Sequence, residues 1–397
     1  MRKLIFDQEK DLDLDLTIKE LRSRLDYMHD LEIDDLIDFF DKLASRFEVK
    51  NIKDFFSKTN LKQRLKIALH GNYYALDKWV DLQDPELLFH AQPRGLTVHW
   101  LAGNVPVLGL FSIFFALITK NVCLVKASLI GSEELAGYLN KIKDVETEKI
   151  KGRDLAKSIK AILINNDDKE MHQALSLAAD VRIAWGGREA IKAITGLEKN
   201  IFSQDIIFGP KYSYALVDNW SEKTARKLAV DVSVFDQYAC SSPHTVFVKE
   251  DALGFAKELA KQLQTVNRIM IPKGKIDPAK AAEIVSLRAE YEIKAQVFSS
   301  SSTDWTVVYS QGPGLAKGCF SRVIFVKPIK DILEIKEYND RQKQSLGISL
   351  ENKNQLDSIT RFGIDRCPDL GRMTFYESPW DGMFVFDRLV RWVTTYK

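Results

Sequence analysis

The stretch LTVHWLAGNVPVLGLFSIFFALITKNVCLVKA, residues 96–127, decides how the chain folds. LTVHWLA and VCLVK are short runs rich in β-branched and aromatic residues, which read as strands. The run VLGLFSIFFALIT between them is long enough for a helix. Gly103, Asn104 and Pro106 interrupt the apolar sequence where the first strand must hand over to the helix. No residue between Arg94 and Lys120 carries a formal charge, so a membrane span has to be weighed. A spanning helix needs about 20 consecutive apolar residues, and the break at 103–106 denies it that length. A buried strand, a buried helix and a second buried strand are expected instead.

The same grammar continues outward. SEELAGYLNKI predicts a helix capped by Ser132, with Glu133 and Glu134 in its first turn. DVETEKIKGRD predicts a solvated charged loop. AILIN, KEMHQALSLAA, VRIAW and REAIKAITG then read as strand, helix, strand and a helix ending at Gly196. Such alternation predicts a parallel sheet with helices on both faces. Beyond IIFGPK and YSYALVD, the helix SEKTARKLAVDVSVF leads into a cysteine loop and the strand HTVFV. Two long helical patterns follow, from Asp251 to about Asn267 and from Pro278 to about Gln296. WTVVYS, RVIFVKP and LGISL predict a second sheet, and RMTFYE, SPWDG and FVFDRLVRWVTTYK a strand, a turn and a terminal helix. Residues up to about Ala91 read as helices, with Thr17 and Glu20 at capping-box spacing. The expected division is a helical N-terminal layer over 1–91, a Rossmann-like domain over 92–212 and a second α/β domain over 213–397.

Composition narrows the function classes. At 397 residues the chain is long for one core. An apolar share of 45%, a charged share of 28% and a net charge of +2 are those of an ordinary globular protein, with no basic run that would bind nucleic acid. Cys123, Cys240, Cys319 and Cys367 stand far apart and form no CxxC pair, which argues against a zinc ribbon or disulfide framework and for a reducing compartment. No metal is expected. The N-terminal MRKLIFDQEKDLDLDL is too acidic and too weakly apolar for a signal or transit peptide, so the cytoplasm is the expected location.

Several stretches could carry chemistry. FDQYACSSPHTVFV, Phe235 to Val248, places Cys240 in a polar loop between a helix and a strand. The alternative is a buried structural thiol. His244 could depress the thiol pKa or carry a proton, or could be packing. No GxGxxG follows the first strand. Lys126 and Ser128 stand at the carboxyl end of a strand, where open α/β sheets bind ligands. Gly186 and Gly187 stand at a strand-to-helix turn, where a diphosphate can approach the backbone. Asn104 sits just past a strand, either as a turn residue or as an amide donor to an oxyanion. GPGLAKG looks like a nucleotide loop but precedes a strand, and is read as a turn.

In order, LAGNVP, VCLVKAS, IAWGGREAI, IIFGPK and FDQYACSSPH resemble the aldehyde dehydrogenase superfamily, and more closely the acyl-CoA reductase family of bacterial bioluminescence, the reductase subunit of the fatty acid reductase complex. The resemblance implies an α/β, aldehyde-dehydrogenase-like fold: a parallel Rossmann-like cofactor domain and a second α/β catalytic domain. It implies Cys240 as nucleophile and Asn104 as oxyanion donor. Lys126 would contact the adenosine ribose, with Ala127 in place of the family's Pro. Gly186 and Gly187 would lie near the cofactor phosphates, and Ser128, next to Lys126 at its strand end, would also line the cofactor site. Hydrolytic members carry a water-activating Glu where this chain has Ile207, and the later E-I-F-G-P motif is missing, with FSRVIFV in that region.

The implied activity is NAD(P)H-dependent reduction of fatty acyl-CoA, or of an acyl-protein thioester, to fatty aldehyde through an acyl-cysteine. NADP is the expected cofactor, with NAD possible. An acyl-protein synthetase partner and a homo-oligomer are also expected. The alternatives are a CoA-acylating aldehyde dehydrogenase working oxidatively and a non-catalytic acyl-binding scaffold.

Overall fold

The computed structural model describes residues 2–6, 10–103 and 106–397. Its strands up to residue 208 are β1 (Arg2–Leu4), β2 (Lys10–Asp11), β3 (Leu87–Pro93), β4 (Leu96–Trp100), β5 (Val122–Ala127), β6 (Ile159–Ile164), β7 (Val181–Trp185) and β8 (Gln204–Phe208). One sheet has the order β2-β1-β6-β5-β4-β7-β8. From β6 to β8 all neighbours are parallel, while β1 runs antiparallel to β6. The chain enters the parallel part at β4, steps one way to β5 and β6, then returns to the other side of β4 with β7. This reversal creates a switch point between β4 and β7, where the carboxyl ends of such strands leave a crevice.

The apolar stretch that opened the analysis forms β4, the helix Pro106–Ile118 and β5. The helix is 13 residues long, and Leu110 through Ile118 are all buried. A helix apolar on every side belongs inside a core. Phe40, Phe55 and Phe56, from the helices Ile33–Ala44 and Lys50–Phe56, cover it, with Phe40 at 5.2 Å from Phe114 and Phe55 at 5.5 Å from Phe111. Among the described residues no helix is long and apolar enough to cross a membrane.

The remaining strands are β9 (Tyr212–Val217), β10 (Pro243–Val248), β11 (Gln296–Ser299), β12 (Thr306–Tyr309), β13 (Val323–Pro328), β14 (Lys343–Ser349) and the C-terminal Val390–Tyr396. A second sheet has the order β11-β12-β13-β10-β9-β14, parallel except for β11. On one face Ala215, Val217, Val246 and Val248 pack against the helices Glu222–Ser233 and Ala252–Ile269. On the other face Tyr214, Leu216, Phe247, Leu346 and Ile348 form a separate core.

Contacts group Met1–Gly209 with Tyr376–Lys397 as one unit and Pro210–Phe375 as another. The sequence reading put the C-terminal segment with the catalytic domain. Strand pairing and aromatic packing explain the difference. Val390–Tyr396 runs antiparallel to β3, from Val390 opposite Pro93 to Tyr396 opposite Leu87, and Tyr376 stacks on Phe111 at 4.5 Å. The expected terminal helix is therefore one turn, Val385–Arg388, followed by a strand.

Other local expectations also shift. RMTFYE forms no strand. β1 and β2 extend the first sheet where helices alone were expected. The first long helix begins at Leu14 and is capped by Asp13, whose side chain accepts from Leu16 N at 3.0 Å; Thr17 lies inside it. Ser132 is not an N-cap, since its hydroxyl donates to Leu129 O at 3.1 Å. The charged insert is folded: Val145 and Ile150 are buried, and a Cβ on Gly152 would lie 1.8 Å from Ile142 O.

Candidate active site

In the first unit, a cavity of about 920 Å³ opens at the switch point. Strand ends supply much of its lining: Trp100 in β4 with Leu101 and Ala102 after it, Lys126 in β5 with Ser128 after it, Asn166 after β6, and Trp185 in β7 with Gly186 and Gly187 after it. Lys169, Glu170, His172 and Gln173 come from the helix Lys169–Ala178, and Ala190, Ala193 and Ile194 from the helix Arg188–Thr195. The four residues expected to line a cofactor site, Lys126, Ser128, Gly186 and Gly187, thus share one cavity.

Lys126 is almost fully buried and donates to Asn166 Oδ1 at 2.6 Å; burial lowers its pKa below the ordinary lysine range. Trp100 Nε1 donates to His172 Nδ1 at 3.0 Å, and His172 Nε2 donates to Asn165 O at 3.2 Å, so both ring nitrogens are occupied in the neutral form. Burial and the nearby Lys126 charge keep its pKa low. Trp185 stacks on Phe208 at 3.9 Å and forms one wall.

Gly187 caps the helix Arg188–Thr195 without a side-chain hydrogen bond, so the first amides of that helix have no intrahelical acceptor. A Cβ there would meet nothing within 4 Å, and its φ of −70° is open to any residue. The protein does not need glycine at this point; what the missing side chain leaves is space. Gly103 is different, because a Cβ would lie 2.3 Å from Ile130 O and 2.7 Å from Ser128 Oγ. These features fit a dinucleotide: a long cleft, a helix N-terminus beside a bare backbone, and a lysine at a strand end. Asn104 lies outside the described residues.

In the second unit, Cys240 sits in the bend that leads into β10. Three consecutive non-glycine residues precede it in left-handed conformation: Phe235 (φ 56°), Asp236 (φ 47°) and Gln237 (φ 64°). Each costs roughly 1–2 kcal/mol. A second left-handed run, Phe320 (φ 60°), Ser321 (φ 52°) and Arg322 (φ 63°), holds the first in place. Ser321 N donates to Asp236 O at 2.8 Å, and Arg322 Nε to Asp236 Oδ1 at 2.5 Å. The fully buried Arg322 also donates to Asn267 Oδ1 and to Ile271 O, each at 2.9 Å. Gln237 Nε2 donates to Pro243 O at 2.7 Å, and Tyr238 stacks on Phe320 at 5.5 Å. Lys273 donates to Ser321 O at 2.9 Å, and burial pushes its pKa down to about 8. Strain of this kind persists where the surroundings over-determine it, which is common at functional sites.

The cysteine is held from two neighbouring strands. Ser213 Oγ on β9 donates to Cys240 O at 2.7 Å, and Gln344 Nε2 on β14 donates to Cys240 Sγ at 3.2 Å. Both ladders slip where they meet this loop, between Pro243 and Val246 and between Lys343 and Leu346. Such irregularities re-aim side chains. Cys240 is half-buried. The other thiols are pushed up by burial, Cys123 to about 12, Cys367 to about 11, and Cys319 in the same direction.

His244 is the second residue of β10 and lies against Tyr212, Phe320 and the backbone of Gly318. Burial pushes its pKa down to about 4, and its Nδ1 has no hydrogen-bond partner. Among the described residues no hydrogen bond joins it to Cys240, and burial favours the neutral imidazole. Ile207 lies in β8, and GPGLAKG is a loop pinned by Lys327, whose Nζ donates to Gly312 O at 2.8 Å. No group of three or more metal-ligating side chains occurs among the described residues.

Gln344, Ser213, Asn166 and Trp100 escaped the sequence reading. Asn166 and Trp100 could have been found from the rule that strand ends gather ligands. Gln344, 104 residues from Cys240, left no local signal.

The sequence profile of the family described as acyl-CoA reductase (LuxC) matches residues 16–392. A long-chain acyl-protein thioester reductase of Aliivibrio fischeri is 32% identical over 343 residues, covering 82% of this chain and 68% of that one. Long-chain acyl-protein thioester reductase 2 of Photobacterium leiognathi is 30% identical over 332 residues, covering 81% and 68%. Among solved structures, aldehyde dehydrogenase 21 of Physcomitrella patens matches with a TM-score of 0.69 at 12% identity, over 97% of this chain and 90% of that one. The NADP-dependent glyceraldehyde-3-phosphate dehydrogenase of Bacillus halodurans matches with a TM-score of 0.69 at 14% identity, over 100% and 96%. At these identities the structures share a fold, the aldehyde dehydrogenase fold.

Proposed function

The chain belongs to the acyl-CoA reductase (LuxC) family, oxidoreductases acting on the aldehyde group, and from that premise we propose that it reduces fatty acyl thioesters to fatty aldehydes with Cys240 as nucleophile. The observation that carries the residue assignment is the hold on Cys240: a strained, pinned loop, a hydrogen bond at its sulfur and another at its carbonyl. A structural thiol needs no strained loop. Cys123 shows the contrast: Thr97 Oγ1 reaches its sulfur at 3.5 Å, but it lies wholly buried in the regular strand β5.

The Cys240 thiolate attacks the thioester carbonyl, forming a sulfur–carbon bond while the carrier's carbon–sulfur bond breaks. The carrier thiol departs and takes up a proton, leaving an acyl-cysteine. Asn104, placed just past a strand in the sequence and matched by the resemblance, is assigned to the oxyanion, where a donor contributes roughly 3 kcal/mol. NAD(P)H, which Lys126, Ser128, Gly186 and Gly187 would hold, would supply the hydride that brings this acyl group to the aldehyde level. Collapse of the resulting thiohemiacetal regenerates the Cys240 thiolate and frees the aldehyde. Ile207 cannot take a proton from water, which supports hydride reduction of the acyl-cysteine over its hydrolysis.

The dinucleotide is assigned to the switch-point cavity, with Lys126 and Ser128 toward the ribose and Gly186 and Gly187 toward the diphosphate. NADP is favoured over NAD. Lys126 and Lys169 line the cavity, and Glu170, its one carboxylate among the described residues, is engaged by Arg2 at 3.0 Å. A ribose 2′-phosphate would meet cations rather than a competing acid. The relatives' names point to an acyl-protein thioester as donor and the family description to acyl-CoA; we assign delivery of the acyl protein to an acyl-protein synthetase partner. Incubation of Cys240→Ser with a long-chain acyl-CoA and NADPH tests the reading. Loss of aldehyde formation is expected, and retained aldehyde formation would overturn it.

A further inference from the structure

We propose that Gln344 is the donor that holds the Cys240 sulfur in its reactive thiolate form. The inference rests on Cys240 being the nucleophile and adds to that reading a residue which no motif of the sequence marks.

The contact itself is direct, Nε2 to Sγ at 3.2 Å, within the range of an N–H···S hydrogen bond. It is also rigid. Gln344 is fully buried, and its backbone carbonyl accepts from both Asp365 N at 2.9 Å and Arg366 N at 3.1 Å. The slip in the β14–β9 ladder between Lys343 and Leu346 frees Gln344 and Ser345 from regular pairing. Ser345 N then donates to Ser213 Oγ at 3.1 Å, and that hydroxyl donates to Cys240 O at 2.7 Å. One irregular dipeptide on β14 therefore fixes the nucleophile at both ends, the sulfur through Gln344 and the carbonyl through Ser345 and Ser213.

The chemistry of the donor matters as much as its place. Hydrogen bonds to an ionised group are about twice as strong as neutral ones, so an amide N–H facing a thiolate favours ionisation. The titratable and charged side chains of the neighbouring elements have other roles. Lys343 pairs with Asp340 at 2.9 Å, and Arg366 donates to Met373 O at 3.0 Å. Burial keeps His244 neutral and Tyr212 protonated. A carboxamide has a further property that a carboxylate or imidazole lacks: it stabilises the sulfur anion yet cannot deprotonate water. Beside an acyl-cysteine it leaves the thioester to wait for reduction.

The test is the rate at which iodoacetamide alkylates Cys240, followed by peptide mass over a range of pH in the full chain without substrate. Gln344→Met, which keeps length and volume, should slow alkylation about tenfold at neutral pH and leave the rate unchanged at high pH, where the thiol is ionised in either protein. Gln344→Asn keeps the amide but not the reach and should behave the same way, which covers a Met variant that does not fold. Alkylation of either folded variant at the wild-type rate at neutral pH would overturn the proposal. So would a loss equal at every pH, because that would mark a merely structural role. Failure of the wider reading is distinguishable: it would appear as aldehyde formation by Cys240→Ser, whatever the Gln344 variants do.

Discussion

The cavity of the first unit forms where five parallel strands end, and none of its lining residues needs a left-handed backbone. The cysteine loop of the second unit is preceded by three left-handed non-glycine residues and held by three more. One site follows from sheet topology at no local cost. The other depends on particular side chains, Arg322 and Asp236 above all, to hold a backbone that would otherwise relax. The difference teaches where each site is vulnerable. Substitutions in the cavity should change ligand affinity and spare the fold, whereas those around the loop should change both.

Arg322→Met should break the comparison most severely. It takes the guanidinium donor from the Asp236 carboxylate and Ile271 O and one of two donors from Asn267 Oδ1, which keeps Lys273 N, and the second unit should lose roughly 3 kcal/mol. Denaturant unfolding measures the loss, and alkylation of Cys240 at neutral pH should fall with it. Lys126→Met should do the reverse. Dinucleotide affinity, read by calorimetry, should drop about tenfold or more, while the unfolding midpoint stays put.

Acid stability sharpens the contrast further. His244 has a folded pKa of about 4 against an ordinary 6.5, so between these values the unfolded chain binds a proton that the folded chain refuses. Its contribution is present above pH 6.5 and is lost as pH falls toward 4. His244→Phe should flatten that part of the stability–pH curve for the second unit. His99, pushed down to about 3, gives the first unit a slope of the same sign, which the His244 substitution should leave untouched. The smallest effect is expected for Gly187→Ala. Beyond its chain neighbours nothing lies within 4 Å of the added methyl group, so stability should stay within about 0.5 kcal/mol, with a few-fold loss of dinucleotide affinity.

What could be read from the sequence follows the same division. The strand–helix alternation from Leu96 onward was legible because parallel sheets need continuous apolar strands and amphipathic crossovers. Lys126, Ser128, Gly186 and Gly187 were legible because such strands gather ligands at one end. Cys240 stood out as a small thiol in a polar loop and Asn104 as an amide just past a strand, whereas Ile207 acquired meaning only through family resemblance. The left-handed runs carried no signal, since neither FDQ nor FSR contains glycine or asparagine. Their conformation comes from contacts between residues about 86 positions apart, such as Arg322 with Asp236. Gln344 was hidden for the same reason. The C-terminal strand misled because FDRLVRWVTT has apolar residues at both helical and alternating spacing, and only pairing with β3 decides between them.

The central claim is that Cys240 is the residue that carries the acyl group. Its most direct test is the intact mass of the wild-type chain and of Cys240→Ser after mixing with a long-chain acyl-CoA in the absence of dinucleotide. The account predicts one acyl adduct on the wild type, mapped to the Cys240 peptide, and none on the variant. An adduct of equal occupancy on Cys240→Ser, or one mapped to another residue of the wild type, would contradict it.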